Sequence, residues 1–220
     1  AYGLDWPEVF SAANTSPLVK IMRPGVMGGS CLTKDPDFLI YGALQEGIIL
    51  GVSTAARQLN RKMPSYVVKL VMESLERASR QVSKSKIAIL GLAFKGETSD
   101  TRETPVFEII SLLNAMGCSE ICVYDPYVLT EDIASTGLRF DLVRNMEDAA
   151  SGASCLIIAT EHRQIANANL SELCRLTLQP PIVIDAKGII TTRFDNSIQG
   201  GIGLPLKELS PPHQQSRLAE

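Results

Sequence analysis

Cys31, set behind Gly28-Gly29-Ser30 and ahead of Lys34-Asp35-Pro36, is the residue of this chain best placed to attack carbon. Paired glycines remove the side chains that hold a ligand off the backbone, and they admit φ values closed to other residues. Asp35-Pro36 combines a good N-cap with proline at the first helical position, which predicts a helix starting there and running towards Val52. Cys31 then stands just before the positive end of a helix and near the cation of Lys34. Both favour the thiolate, the form that acts as a nucleophile. The same residues have plainer uses, because cysteine is most often a small buried apolar side chain and Asp35 serves as a cap.

A second group follows in Gly91-Leu92-Ala93-Phe94-Lys95 and runs on through Thr98, Asp100 and Arg102 to Thr104-Pro105. The glycines are wrongly spaced for a dinucleotide fingerprint, and no acidic residue follows the second strand in the expected manner. Lys95 and Arg102 stand shortly before a helix N-terminus, whose free N–H groups would add to an anion site suited to phosphate. The alternative is two solvated surface charges.

These groups need a scaffold, and the hydrophobic period supplies one. Residues 5 to 14 read as a short helix with Asp5 near its cap and Val9, Phe10 and Ala13 on one side. From Pro36, the residues Leu39, Ile40, Leu44, Ile48 and Val52 recur at helical intervals among small glycines and alanines, as in a helix packed at an interface. Met63-Pro64 marks a further start, and Tyr66, Val67, Leu70, Val71 and Leu75 give an amphipathic helix to about Gln81. The polar stretch Ser83-Lys84-Ser85-Lys86 reads as a boundary between an all-helical part, 1–84, and a second part, 85–220.

Beyond it the period changes. Ile87–Leu90, Ile121–Tyr124, Cys155–Ile158 and Ile182–Ile184 are short apolar runs of the buried-strand type, separated by helical segments. The clearest helix opens at Thr104-Pro105 and stops at Gly117, with Val106, Ile109, Ile110 and Leu113 on one face. Alternation of this kind predicts an α/β class: a helical segment followed by a Rossmann-like, doubly wound parallel sheet whose ligands gather at the strands' carboxyl ends.

Composition narrows the functional classes. The 220 residues carry 45% hydrophobic and 20% charged residues and a net charge of −3, the balance of a globular protein without the basic footprint of nucleic-acid binding. The cysteines, Cys31, Cys118, Cys122, Cys155 and Cys174, form an odd set with no CxxC pair or nearby histidine cluster. Neither a metal site nor a disulfide framework is expected, and a reducing cytoplasm fits. No apolar run is long enough for a membrane span. The opening Ala-Tyr-Gly reads as the middle of a longer protein.

Taken together, Pro24-Gly25, Gly28-Gly29-Ser30-Cys31, Lys34-Asp35-Pro36, the run from Gly91 to Lys95, Thr98, Asp100, Arg102, Pro105 and Tyr124-Asp125-Pro126 resemble the UDP-glucose / UDP-N-acetylmannosamine / GDP-mannose dehydrogenase family. The resemblance covers nearly the whole chain. It implies oxidation of a sugar C6 alcohol to a carboxylate with two NAD⁺ and no release of the aldehyde. It also implies a helical middle part that forms a homodimer and a Rossmann-like part that holds the UDP-sugar. The family's N-terminal NAD-binding domain is expected to be missing.

By the same resemblance, Cys31 adds to the C6 aldehyde to give a thiohemiacetal, whose hydride loss leaves a thioester for water to cleave. Asp35 matches the aspartate associated with proton transfer and water activation. Phe94 and Lys95 would contact the sugar nucleotide, Gly25, Gly28 and Gly29 would run along it with backbone exposed, and Lys34 and Arg102 would reach NAD. Lys187, in Asp185-Ala186-Lys187-Gly188, replaces the usual arginine of a substrate-binding segment and loses its two-pronged geometry. Leu18 stands where related bacterial sequences often carry an arginine that reaches into the other subunit's site, so either Lys20 or Arg23 substitutes or the cross-subunit contact differs here. Ser30 is typical of members using UDP-glucose or GDP-mannose, whereas Pro36 and Phe38 are typical of the N-acetylmannosamine type, so the sugar stays open. His162 and His213 lie in no motif, which argues against a Cys–His dyad. The competing readings are a non-catalytic sugar-nucleotide-binding or dimerising fragment and a redox-sensing thiol.

Overall fold

A computed structural model describes residues 6–133, 136–190, 194, 196–204 and 206. Asp5 and His213 lie outside the described residues. The chain begins with α1 (Trp6–Ala13), α2 (Ser30–Gln45) and α3 (Gly51–Arg77), followed by a 3-10 turn, Val82–Lys84. A six-stranded sheet follows: β1 (Lys86–Leu90), β2 (Glu120–Tyr124), β3 (Asp141–Val143), β4 (Cys155–Ile158), β5 (Ile182–Asp185) and β6 (Ile198–Gly201). Between the strands lie α4 (Pro105–Ala115), α5 (Thr130–Ile133), α6 (Met146–Ala150), α7 (Arg163–Ala166) and α8 (Leu170–Leu176).

All strand pairs are parallel and the order is β3-β2-β1-β4-β5-β6, the Rossmann arrangement, with its switch point between β1 and β4. The four apolar runs marked in the sequence are β1, β2, β4 and β5. The edge strands β3 and β6 escaped because one has three residues and the other, Ile-Gln-Gly-Gly, offers a single large apolar side chain. The helix α4 is as predicted, with Thr104 Oγ1 capping Val106 N–H and Gly117 at φ 77 closing the end.

Both faces of the sheet are covered, so its central strands are buried along their length. Ile87 and Ile89 face α3 and α4 through Val71, Leu75, Ile109 and Leu113, whereas Ala88 and Leu90 face the other way, towards Ala149, Ile165 and Leu173. The C-terminal half of α3 thus shares the sheet's core, and packing runs continuously across residue 84.

Two prolines read as helix starts lie inside helices. The α2 helix begins at Ser30, six residues before Pro36, and Asp35 is therefore not its cap; Gly29 at φ 90 is. Pro36 cannot donate to the carbonyl one turn back. Beside that gap Arg57 reaches across from α3, donating to Thr33 O at 2.5 Å and to Asp37 Oδ1 at 3.1 Å, while Arg61 reaches Asp37 Oδ2 at 2.6 Å. These bonds from α3 support the interrupted turn. α2 also ends at Gln45, short of Val52. Pro64 is buried within α3, at the point where the helix passes from its contact with α2 to the sheet.

Candidate active site

The carboxyl ends of β1, β4 and β5 and the segment 20–28 enclose a cleft of about 460 Å³. Gly25, Gly28, Phe94, Lys95 and Lys187 all line it, so five residues chosen from the sequence converge on one space. The segment before α2 is fixed across the sheet edge: Arg23 Nη1 donates to Gly188 O at 2.9 Å, Val26 N–H to Ala186 O at 3.0 Å and Gly29 N–H to Glu103 O at 3.2 Å. Val26 is fully buried beneath it.

The glycines serve this seating more than an open path for ligand. Gly28 and Gly29 are buried, which corrects the expectation of exposed backbone. A Cβ on Gly28 would meet Glu103 O at 2.5 Å, and one on Gly29 would meet the Phe94 ring at 2.7 Å. Without side chains at both positions, the segment can lie directly on the Phe94 loop.

Cys31 is exposed, on the first turn of α2. Asp35 lies four residues on, hence on the same helical face, and is also exposed. Neither lines the cleft, although the adjoining Leu32 and Gly28 do. Lys34 is exposed on the same helix. Arg102 lies near enough to Cys31 that the sulfur's charge raises the guanidinium pKa, after the larger influence of Asp100. Arg102 grips Asp100, donating from Nε and Nη2 at 3.0 and 2.7 Å.

Two strand-end aspartates shape the loops around the cleft. Asp185 accepts from Lys187, Gly188 and Ile190 N–H at 2.7 to 2.9 Å, setting the β5 loop; burial outweighs those bonds and raises its pKa. Asp125 accepts from Leu92 and Ala93 N–H through Oδ2 and from Tyr127 and Val128 N–H through Oδ1. His162 Nε2 is also 3.0 Å from its Oδ2. Burial alone would raise the Asp125 carboxyl, but the bonds from His162 and the backbone outweigh it and hold it below the ordinary range. An acidic residue does follow β2, but protein donors occupy both of its oxygens.

Lys187 is buried, its Nζ 3.0 Å from Glu161 Oε2 and 3.5 Å from Phe94 O. Burial would raise Glu161, yet the lysine charge prevails and its pKa is lowered. Sequence reasoning passed over Asp125 as a site residue, together with Glu161 and His162; the last two follow β4, where ligand-site residues of such sheets are expected. Lys20 and Arg23 line the cleft, and Leu18 is 92% exposed. Among the described residues no group of His, Cys, Asp and Glu could hold a metal ion, and no helix is long and apolar enough to cross a membrane.

The family model of the UDP-glucose/GDP-mannose dehydrogenase UDP binding domain matches residues 88–192, and that of the same family's central domain matches residues 1–62. A UDP-N-acetyl-D-mannosamine dehydrogenase of Pyrococcus horikoshii is 35% identical over 204 residues, covering 92% of this chain and 45% of that protein. A relative of the same description from Methanococcus maripaludis is 31% identical over 86% of this chain and 41% of its own length. The solved structure of the UDP-D-ManNAc dehydrogenase from Pyrococcus horikoshii superposes with a TM-score of 0.79 at 34% identity, covering 92% of this chain and 45% of that one. The chain thus spans less than half the length of these relatives.

Proposed function

This chain belongs to the UDP-glucose/GDP-mannose dehydrogenase family, spanning its central and UDP-binding domains, and we propose that its cleft holds a UDP-hexose whose C6 is oxidised at Cys31. The convergence of Phe94, Lys95, Lys187 and the segment 25–28 on one cleft, with Cys31 on the helix turn that follows, carries this reading. The cations Lys20, Arg23 and Lys95 at the rim suit a diphosphate, and the apolar wall suits the less polar remainder of the ligand. Two 31–35% identical relatives named for UDP-N-acetyl-D-mannosamine favour that sugar over UDP-glucose.

In this reading the Cys31 sulfur forms a bond to the C6 aldehyde carbon while the carbonyl oxygen takes a proton, giving a thiohemiacetal that retains the aldehyde. Asp35, one turn along the same face, holds the proton and later orients the water that cleaves the acyl–sulfur bond. NAD, when bound, supplies the hydride acceptor for both oxidations. Exposed Lys34 and Arg102 beside Cys31 fit its pyrophosphate, with Arg102 exchanging Asp100 for the ligand.

The division into a helical part, 1–84, and a sugar-nucleotide part, 85–220, belongs to the same proposal, as does a homodimer through α2 and the start of α3. Phe38, Leu39, Ile49 and Val52 are 61 to 87% exposed there, an apolar surface that a second copy would cover.

A second reading, a binding and dimerising piece without turnover of its own, is favoured by one observation: neither Cys31 nor Asp35 lines the cleft. Calorimetry of the chain with UDP-N-acetylmannosamine and UDP-glucose tests both readings. Saturable binding supports the cleft assignment, and none with either ligand contradicts it. Acid formation by the longer enzyme, lost on Cys31→Ser, separates catalysis from binding alone.

A further inference from the structure

The run Thr160-Glu161-His162 at the carboxyl end of β4 grips the β1 loop on both sides of Phe94-Lys95. Thr160 Oγ1 donates to Ala93 O at 2.7 Å; Gly96 N–H donates to Glu161 Oε1 at 3.3 Å; Glu97 N–H donates to His162 Nδ1 at 3.0 Å. The approach is close enough that a Cβ on Gly96 would meet Glu161 O at 2.5 Å. Because Nδ1 accepts from Glu97, the ring proton sits on Nε2 and is donated to Asp125, which in turn holds Leu92 and Ala93 N–H. His162 is fully buried, so solvent cannot replace either bond. Glu97 sits at φ 60, a conformation that a non-glycine residue keeps only where its surroundings impose it.

We propose that His162 is a positioning residue for the ligand loop: one nitrogen fixes the far side of Phe94-Lys95 through Glu97, and the other fixes the near side through Asp125. Its ligand consequence rests on the sugar-nucleotide reading of the cleft; its effect on the loop does not.

Asparagine and glutamine separate the two nitrogens, since an Asn amide oxygen sits near the Nδ1 position and a Gln amide nitrogen near Nε2. Hydrogen exchange of residues 92–98 and calorimetric titration with UDP, both on the whole chain, read the outcome. In His162→Gln, exchange at Glu97 is expected to rise by about tenfold while Leu92 and Ala93 stay within about threefold of the parent; in His162→Asn, Leu92 and Ala93 rise by about tenfold while Glu97 stays within about threefold; UDP affinity falls by about tenfold in both. The same exchange pattern in the two variants, or unchanged exchange at Glu97 in His162→Gln, would overturn the proposal. Should His162→Gln not fold, the ring nitrogen shifts of His162 in the parent chain decide it: a proton on Nε2 with Nδ1 bare is expected, and a proton on Nδ1 would overturn the proposal. Failure of the parent chain to bind UDP would contradict the cleft reading, and the exchange comparison would still decide the role of His162.

Discussion

Arg102 closes a two-pronged ion pair on Asp100, with Nε 3.0 Å from Oδ1 and Nη2 2.7 Å from Oδ2. Side-chain bonds from Arg102, followed by its backbone N–H, lower the Asp100 pKa to about 2. Arg102→Ala should let that carboxyl titrate nearer the ordinary value of about 4, short of it because the backbone bond stays. Carboxyl carbon shifts in an NMR titration read this directly. The pair contributes stability above the unfolded value that disappears as pH falls through about 2. Its exposure keeps that contribution small.

Asp125 has the same sign and a greater consequence, because it is buried and anchors two loops. Its folded pKa is depressed, so its stabilisation is present above about pH 4 and is lost as pH falls through the lower folded value. Asp125→Asn should cost about 3–5 kcal/mol at neutral pH, by leaving His162 and several backbone N–H groups short of acceptors. The gap between parent and variant should narrow below about pH 4 in urea denaturation.

Gly28→Ala tests the seating of the segment before α2. The added methyl would press on Glu103 O and Pro105 Cδ, at 2.5 and 2.6 Å, with no flexible side-chain end to give way. A loss of about 1–3 kcal/mol is expected, with weaker UDP binding because the cleft's wall is displaced. Gly42→Ala, where a Cβ meets nothing within 4 Å, should cause no such loss in the same thermal scans.

Leu75→Ala tests how far the sheet's core extends. Leu75 is 1% exposed and belongs to the same cluster as Ile87 and Ile89, so truncation should cost about 2–5 kcal/mol and unfold helix and sheet together. Two separate thermal transitions would show instead that residues 1–84 and the sheet fold independently.

The sheet was legible because Ile87–Leu90 and its counterparts are buried on both faces and so read as continuous apolar runs. The helical boundaries were less so. Pro36 and Pro64 carry the local signature of a first turn, and only Arg57 reaching Thr33 O across a 24-residue separation shows why α2 continues through its proline. The cleft residues Phe94, Lys95 and Lys187 were found because they follow strands β1 and β5. Glu161 and His162 follow β4 just as directly, but their partners Gly96, Glu97 and Asp125 lie 37 to 65 residues away, and no local pattern announces such contacts.

Alkylation of Cys31 tests the central claim most directly. Cys31 is the one exposed thiol of the five, and burial raises the other four, Cys122 and Cys174 to about 11. Iodoacetamide followed by mass spectrometry should therefore mark Cys31 first. Saturating UDP-N-acetylmannosamine should slow that labelling by about tenfold, because the sugar then lies over the sulfur. Labelling of Cys31 at the same rate with and without a ligand shown by calorimetry to be bound would place the sugar away from the sulfur and contradict the account.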